Sequence, residues 1–182
     1  MHADGQVIIA ASRYLTSSPI PERTATTDFF HDAAKAASTA GLSFFLLGGT
    51  EEVNADCARI VKRLYPNLKI SGRSHGYFSG AEEGGICEQI NASGADIVWV
   101  GLGKPREQEF CVRNRDRIKA SWLVTCGGCF NYITGKYSRA PQWMQDIGLE
   151  WLHRVVMNPR QLFWRYLTTN PHALFLITTR TG

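Results

Sequence analysis

Asp96-Ile97-Val98-Trp99-Val100-Gly101-Leu102-Gly103-Lys104-Pro105 is the stretch on which the fold turns. A short apolar run bounded by turn residues predicts a buried strand, here Asp96 to Val100, closed by Gly101-Leu102-Gly103. Pro105 suits the first turn of a helix, where its missing N–H would have no intrahelical partner. The same order recurs on either side. Ser43 to Leu47 is an apolar run closed by Gly48-Gly49, and Ser121 to Thr125 is closed by Cys126-Gly127-Gly128. Between them, Glu51 to Tyr65 places Val53, Cys57, Ile60, Val61 and Leu64 on one helical face and stops at Pro66. Thr26 or Thr27 can cap a helix over 28–40 that Gly41 ends. Lys69-Ile70 reads as a short strand, and the helix after Gly80 is interrupted by Gly84-Gly85.

This alternation of strand, glycine turn and helix predicts an α/β domain with a mainly parallel sheet. Ligands of such sheets bind beyond the carboxyl ends of the strands, where these turns lie. A glycine there lets backbone N–H groups approach a phosphate or a sugar; it also makes a tight turn with no ligand at all.

From about Arg139 the pattern becomes helical, aromatic and basic, with Trp143, Ile147, Trp151 and Val155 four residues apart. The expected division is an α/β domain over 1–138 and a helical appendage over 139–182. With 44% apolar residues in 182, the chain can bury a real core. No run reaches the roughly 18–20 apolar residues that cross a bilayer, and no export signal is visible at the start. Five cysteines, an odd number, disfavour a disulfide framework and fit a reducing cytosol. The net charge of +4 hides a balance of −3 over residues 1–100 and +7 over 101–182. The basic half should attract an anion such as a phosphate, an acidic lipid or a nucleic acid. Nucleic acid is disfavoured because no groove-reading motif is present.

Gly101-Leu102-Gly103-Lys104-Pro105-Arg106 is not a dinucleotide fingerprint, since Arg106 stands at the third glycine position, and no phosphate-binding P-loop occurs. Cys126-Gly127-Gly128-Cys129 has the spacing of a redox pair or half a zinc site, but Cys57, Cys87 and Cys111 form no second pair. A glycine turn flanked by two small residues is the better reading. No two of the seven aspartates stand one residue apart, so the Asp-x-Asp device that holds a divalent ion on a diphosphate is missing. Arginine forks are the alternative partner for phosphate, and Arg139, Arg154, Arg160 and Arg165 cluster late in the chain.

Several of these motifs occur together in an order that resembles the WecG/TagA/CpsF glycosyltransferase family. They are Leu46-Leu47-Gly48-Gly49, Gly76-Tyr77, Val100-Gly101-Leu102-Gly103-x-Pro105, Cys126-Gly127-Gly128-x-Phe130, Gly135, Arg139-Ala140-Pro141-x-Trp143-Met144 and Gly148-Leu149-Glu150-Trp151-Leu152-x-Arg154. Asp4-Gly5 with Glu22-Arg23 looks like the family's Asp-Gly and Arg region. The tail from Arg160 to Asn170-Pro171 is similar to members that build acidic exopolysaccharides, such as xanthan-type glucuronosyltransferases.

The resemblance implies a Rossmann-like, nucleotide-sugar-binding sheet with helices on both faces and a C-terminal appendage that meets the membrane. It implies inverting, metal-independent transfer from a UDP-sugar to a polyprenyl-diphosphate-linked acceptor, with a uronic acid or N-acetylhexosamine as the sugar and no cofactor. By position, Asp4 matches the proposed general base and Arg154 the charge that stabilises departing UDP, aided by Arg160 and Arg165. Arg23, Gly48, Gly49, Tyr77, Gly101, Gly103, Pro105, Gln108, Gly127, Gly128 and Arg139 would line the substrate pocket. The expected location is the cytoplasmic face of the plasma membrane. There Phe163, Trp164, Tyr166 and Leu167 beside Arg160 and Arg165 suit an interfacial segment, each arginine adding about 1 kcal/mol near anionic headgroups. Core packing or a homo-oligomer interface built on the same aromatics is the competing expectation.

The chain departs from the family pattern in three places. Arg106-Glu107-Gln108 reverses the usual Gln-Glu order, cysteines stand where small residues are common, and the sequence begins almost at the Asp-Gly. Members carry an upstream Thr-Pro-Asn-type segment, so a catalytically incomplete nucleotide-sugar-binding or scaffold protein is the alternative expectation.

Overall fold

Every residue from Ser43 to Gly48 is buried, and so is every residue from Ile97 to Gly101. Strands apolar on both faces must be covered on both. The computed structural model describes residues 12, 17–21, 25–141, 143–144, 149–157 and 179. Along the chain it has α1 (Thr26–Ala40), β1 (Ser43–Gly48), α2 (Glu51–Leu64), β2 (Lys69–Ser74), α3 (Glu83–Ser93), β3 (Ile97–Gly101), α4 (Arg106–Asn114), β4 (Trp122–Thr125), α5 (Cys129–Ile133) and α6 (Glu150–Met157). Backbone packing gives two units, Thr26–Ser138 and a second made of Met1–Ala25 with Arg139–Gly182.

The first unit holds a four-stranded sheet in the order β2-β1-β3-β4, parallel throughout. The chain leaves β1 toward β2, then returns past β1 to β3 and β4, so the strand order reverses between β1 and β3. In open α/β sheets that reversal opens a crevice at the carboxyl ends of the two strands.

Side chains alternate across the sheet. Phe44, Leu46, Ile97, Trp99 and Val124 pack with Phe30 and Ala34 of α1, Val53, Cys57 and Val61 of α2, and Phe130 of α5. Phe45, Leu47, Val98 and Val100 face the opposite layer, with Cys87 and Ile90 of α3 and Phe110 of α4. Trp99 anchors the first layer, its ring 4.6 Å from Phe30, 5.7 Å from Phe44 and 5.8 Å from Phe29. Each such pair contributes about 0.5–1.5 kcal/mol beyond the area it buries.

At the amino edge, Asp96 closes the β1–β3 pair. Its Oδ2 accepts from the Ser43 amide at 2.8 Å and the Ser43 hydroxyl at 2.7 Å. These bonds hold its carboxyl below the usual range. On the other layer, Glu83 of α3 accepts from Arg113 Nη2 at 2.9 Å and Asn114 Nδ2 at 2.6 Å, which locks α3 to α4.

The predicted elements differ from the structure in informative ways. β2 runs on to Ser74 rather than ending at Ile70. As an edge strand it carries the half-buried Ser71-Gly72-Arg73-Ser74, whose polarity hides the strand, and its register with β1 shifts between Phe44 and Phe45. Gly84-Gly85 does not interrupt α3, because both lie in its first turn. Pro105 precedes α4 at the N-cap, after a cis bond from Lys104, rather than opening the helix. The short α5 escaped the sequence reading. In the second unit, α6 carries exposed Leu152 and Val156 and half-buried His153 and Val155. Among the described residues no helix is long and apolar enough to cross a membrane.

Candidate functional site

At the end of the central strand pair, Gly48 is the register partner of Gly101. Gly48 has φ +135°, and a Cβ there would overlap the Gly101 carbonyl. A Cβ on Gly101 would stand 3.0 Å from the Gly127 carbonyl oxygen and 3.2 Å from the Phe130 ring. Three strand-end turns therefore converge at backbone-contact distance, which only residues lacking a side chain permit.

Hydrogen bonds then sew the turns together. The Gly49 amide donates to the Gly101 carbonyl at 3.2 Å, and the Gly76 amide donates to the Gly49 carbonyl at 2.8 Å. Asn54, fully buried in α2, donates from Nδ2 to the carbonyls of Leu46, Gly48 and Ser74 at 3.1, 2.8 and 3.0 Å. It ties the end of β1 to the end of β2. Thr50 caps α2, its hydroxyl oxygen accepting from the Val53 amide.

Glu107 is the unexpected member. It is 1% exposed. Its Oε2 accepts from the Gly103 amide at 3.1 Å and the Gly127 amide at 3.0 Å. Burial pushes this carboxyl up and outweighs the two amides, which pull it down. The amides of Gly49, Gly103 and Gly127, at positions expected to line the substrate pocket, donate to acceptors within the chain.

Charges of both signs stand at the heads of α2 and α4. Glu51 and Glu52, in the first turn of α2, pair with Arg73 and Lys136. At the head of α4, Lys104 is exposed, and Arg106 donates to the Phe78 carbonyl at 2.6 Å with its guanidinium 4.7 Å from the Phe78 ring. Glu107 and Glu109 stand in the same first turn of α4.

The structure brings Gly48, Gly49, Gly101, Gly103, Pro105, Gly127 and Gly128 to one edge. Tyr77, 73% exposed, follows Gly76 into it. Gln108 is half-buried, and its buried Oε1 has no hydrogen-bond partner among the described residues. Arg139 is half-buried and belongs to the second unit. Asp4, Arg23, Arg160 and Arg165 lie outside the described residues, as does the side chain of Arg154. Sequence reasoning missed Asn54 and Glu107, and also the edge-to-face pair Tyr132–Tyr137, 5.5 Å between centroids, with Tyr137 against Gly128.

Cys126 and Cys129 are buried with free thiols. Burial holds both up, Cys129 to about 12. A buried thiol so reluctant to ionise behaves as a small apolar side chain, which fits the reading as a glycine turn. Among the described residues no group of three His, Cys, Asp or Glu side chains is placed to hold a metal ion.

The sequence matches the profile of the Glycosyl transferase WecG/TagA/CpsF family over residues 1–181. It is 31% identical over 163 residues, 90% of this chain and 61% of the relative, to the N-acetylglucosaminyldiphosphoundecaprenol N-acetyl-beta-D-mannosaminyltransferase of Bacillus subtilis (strain 168). The protein of that name from Bacillus spizizenii (strain ATCC 23059 / NRRL B-14472 / W23) is 31% identical over 168 residues, 92% of this chain and 63% of the relative. The chain spans less than two thirds of the length of these relatives. On that profile match the chain belongs to the WecG/TagA/CpsF glycosyltransferase family.

Proposed function

We propose that this protein is an inverting glycosyltransferase that moves a sugar from a UDP-sugar to a polyprenyl-diphosphate-linked acceptor in bacterial surface-polysaccharide synthesis. The observation that carries the reading is the convergence of the turns after β1, β3 and β4 at the strand-order reversal, led by Gly48 against Gly101. Both relatives are named for transfer of N-acetylmannosamine to an undecaprenyl-diphosphate-linked N-acetylglucosamine, which favours an N-acetylhexosamine donor over a uronic acid.

In the proposed step the acceptor hydroxyl oxygen bonds to the anomeric carbon from the face opposite the leaving group. The bond from that carbon to the UDP oxygen breaks, and UDP departs with the electron pair. Asp4 takes the hydroxyl proton. Arg154, Arg160 and Arg165 offset the charge on the leaving diphosphate, so the step is proposed to run without a divalent ion. The aromatic and basic residues of the C-terminal stretch would hold the enzyme at the cytoplasmic membrane surface, where its lipid-linked acceptor lies.

The test is transfer of label from a panel of radiolabelled UDP-sugars to a polyprenyl-diphosphate-linked N-acetylglucosamine, with and without EDTA. Transfer insensitive to EDTA is expected. Loss of transfer with EDTA removes the metal-independent step. Binding of UDP without any turnover supports the scaffold alternative instead.

A further inference from the structure

Glu107 has no place in the proposed transfer, yet it is the most deeply buried acidic residue described beside the crevice. Gly103 and Glu107 clasp each other in both directions. The Glu107 amide donates to the Gly103 carbonyl at 2.9 Å, while the Gly103 amide donates to Glu107 Oε2. The same Oε2 reaches across to the Gly127 amide, in a different turn after a different strand. One oxygen therefore serves two loops, which touch again where Gly101 approaches the Gly127 carbonyl.

We propose that Glu107 is a positioning residue of the donor crevice: its carboxyl oxygen holds the turn after β3 against the turn after β4 and so fixes the floor on which a nucleotide diphosphate rests. This rests on the reading of the crevice as a nucleotide-sugar site. The side chain fills the position an anion would take between the Gly103 and Gly127 amides. A bound diphosphate must then draw its donors from elsewhere, and Lys104 and Arg106 are the nearest cations along the chain.

Glu107→Gln keeps an oxygen acceptor in the same place, whereas Glu107→Leu keeps the size and removes the acceptor. UDP alone serves as the probe, by calorimetry on the full chain, alongside amide hydrogen exchange of the wild type and both variants. In the wild type the Gly103 and Gly127 amides are expected to be protected. The Leu variant is expected to lose that protection and to weaken UDP binding roughly tenfold, as loss of a buried acceptor shared by two donors would. The Gln variant is expected to return UDP affinity to within about threefold, a rescue that tracks the acceptor oxygen. If the Leu variant does not fold, Glu107→Asp, which withdraws the carboxyl by one methylene, carries the same comparison.

Unprotected Gly103 and Gly127 amides in the wild type overturn the proposal. So does a Leu variant that loses protection yet binds UDP as well as the wild type. A wild type that shows protected amides but no affinity for UDP overturns the donor-site reading and the positioning role with it, and leaves the clasp as architecture.

Discussion

Gly48 and Gly101 meet as register partners at the last rung of the central strand pair, so closely that a single methyl group on the first would strike the backbone of the second. Because Gly48 also sits at φ +135°, the position is closed to other residues on two independent grounds.

Gly48→Ala is therefore expected to cost about 3 kcal/mol or more, in the upper range for single substitutions. Gly80→Ala, where a Cβ meets nothing within 4 Å, serves as the control. Urea unfolding followed by circular dichroism measures both. A Gly48→Ala protein as stable as the control would show that the strands do not approach as described.

Glu107 makes a prediction about pH. Burial raises its carboxyl above the ordinary value of about 4.3. Below that value both folded and unfolded chains hold the proton. As pH rises the unfolded chain releases it first, so stability falls until the folded carboxyl ionises too. Glu107→Gln lacks this loss. Its stability relative to the wild type should improve as pH is raised from about 4, and a gap that stays constant or moves the other way contradicts the burial of Glu107.

Asp96 should behave in the opposite sense. Its Ser43 bonds hold the carboxyl down, so its contribution is complete above the ordinary value of about 3.9 and disappears as pH falls through the folded one. Asp96→Ala is expected to lose about 1–2 kcal/mol near neutrality. That deficit should shrink in acid, read from denaturant curves at several pH values. A deficit that persists unchanged at low pH would mean that packing, not the charged hydrogen bonds, is responsible.

The buried thiols should resist alkylation. Burial places Cys111 at about 11 and Cys129 at about 12, so little thiolate exists near pH 8. Iodoacetamide labelling of the folded protein, mapped by mass spectrometry, is expected to be slow at Cys57, Cys126 and Cys129 and to become rapid on unfolding. Fast native labelling at Cys126 would reopen a redox role for the Cys-x-x-Cys pair.

What the sequence disclosed depended on whether the cause was local. β1 and β3 were legible because strands buried on both faces must be continuously apolar, and Phe44 to Leu47 and Ile97 to Val100 are. The turns were legible because glycine punctuates. β2 was half legible, since an edge strand can carry Ser71 and Arg73 without cost. Asn54 and Glu107 were hidden because each also reaches a partner on a distant segment, the Ser74 carbonyl and the Gly127 amide. Asn54 did leave a trace, as a polar residue flanked on its helix by buried Val53, Cys57 and Val61. Glu107 left none: a glutamate in the first turn of a helix ordinarily points at water. The glycine amides show the limit of motif reading, because nothing in Gly101-Leu102-Gly103 tells that Glu107 will claim a donor there.

The ion pairs at the head of α2 reach beyond stability. Glu51 and Glu52, held by Arg73 and Lys136, leave that flank electrically quiet, and on the α4 flank Lys104 and Arg106 stand against Glu107 and Glu109. With both flanks near balance, the orientation of a charged guest falls to individual hydrogen bonds rather than to a field across the groove.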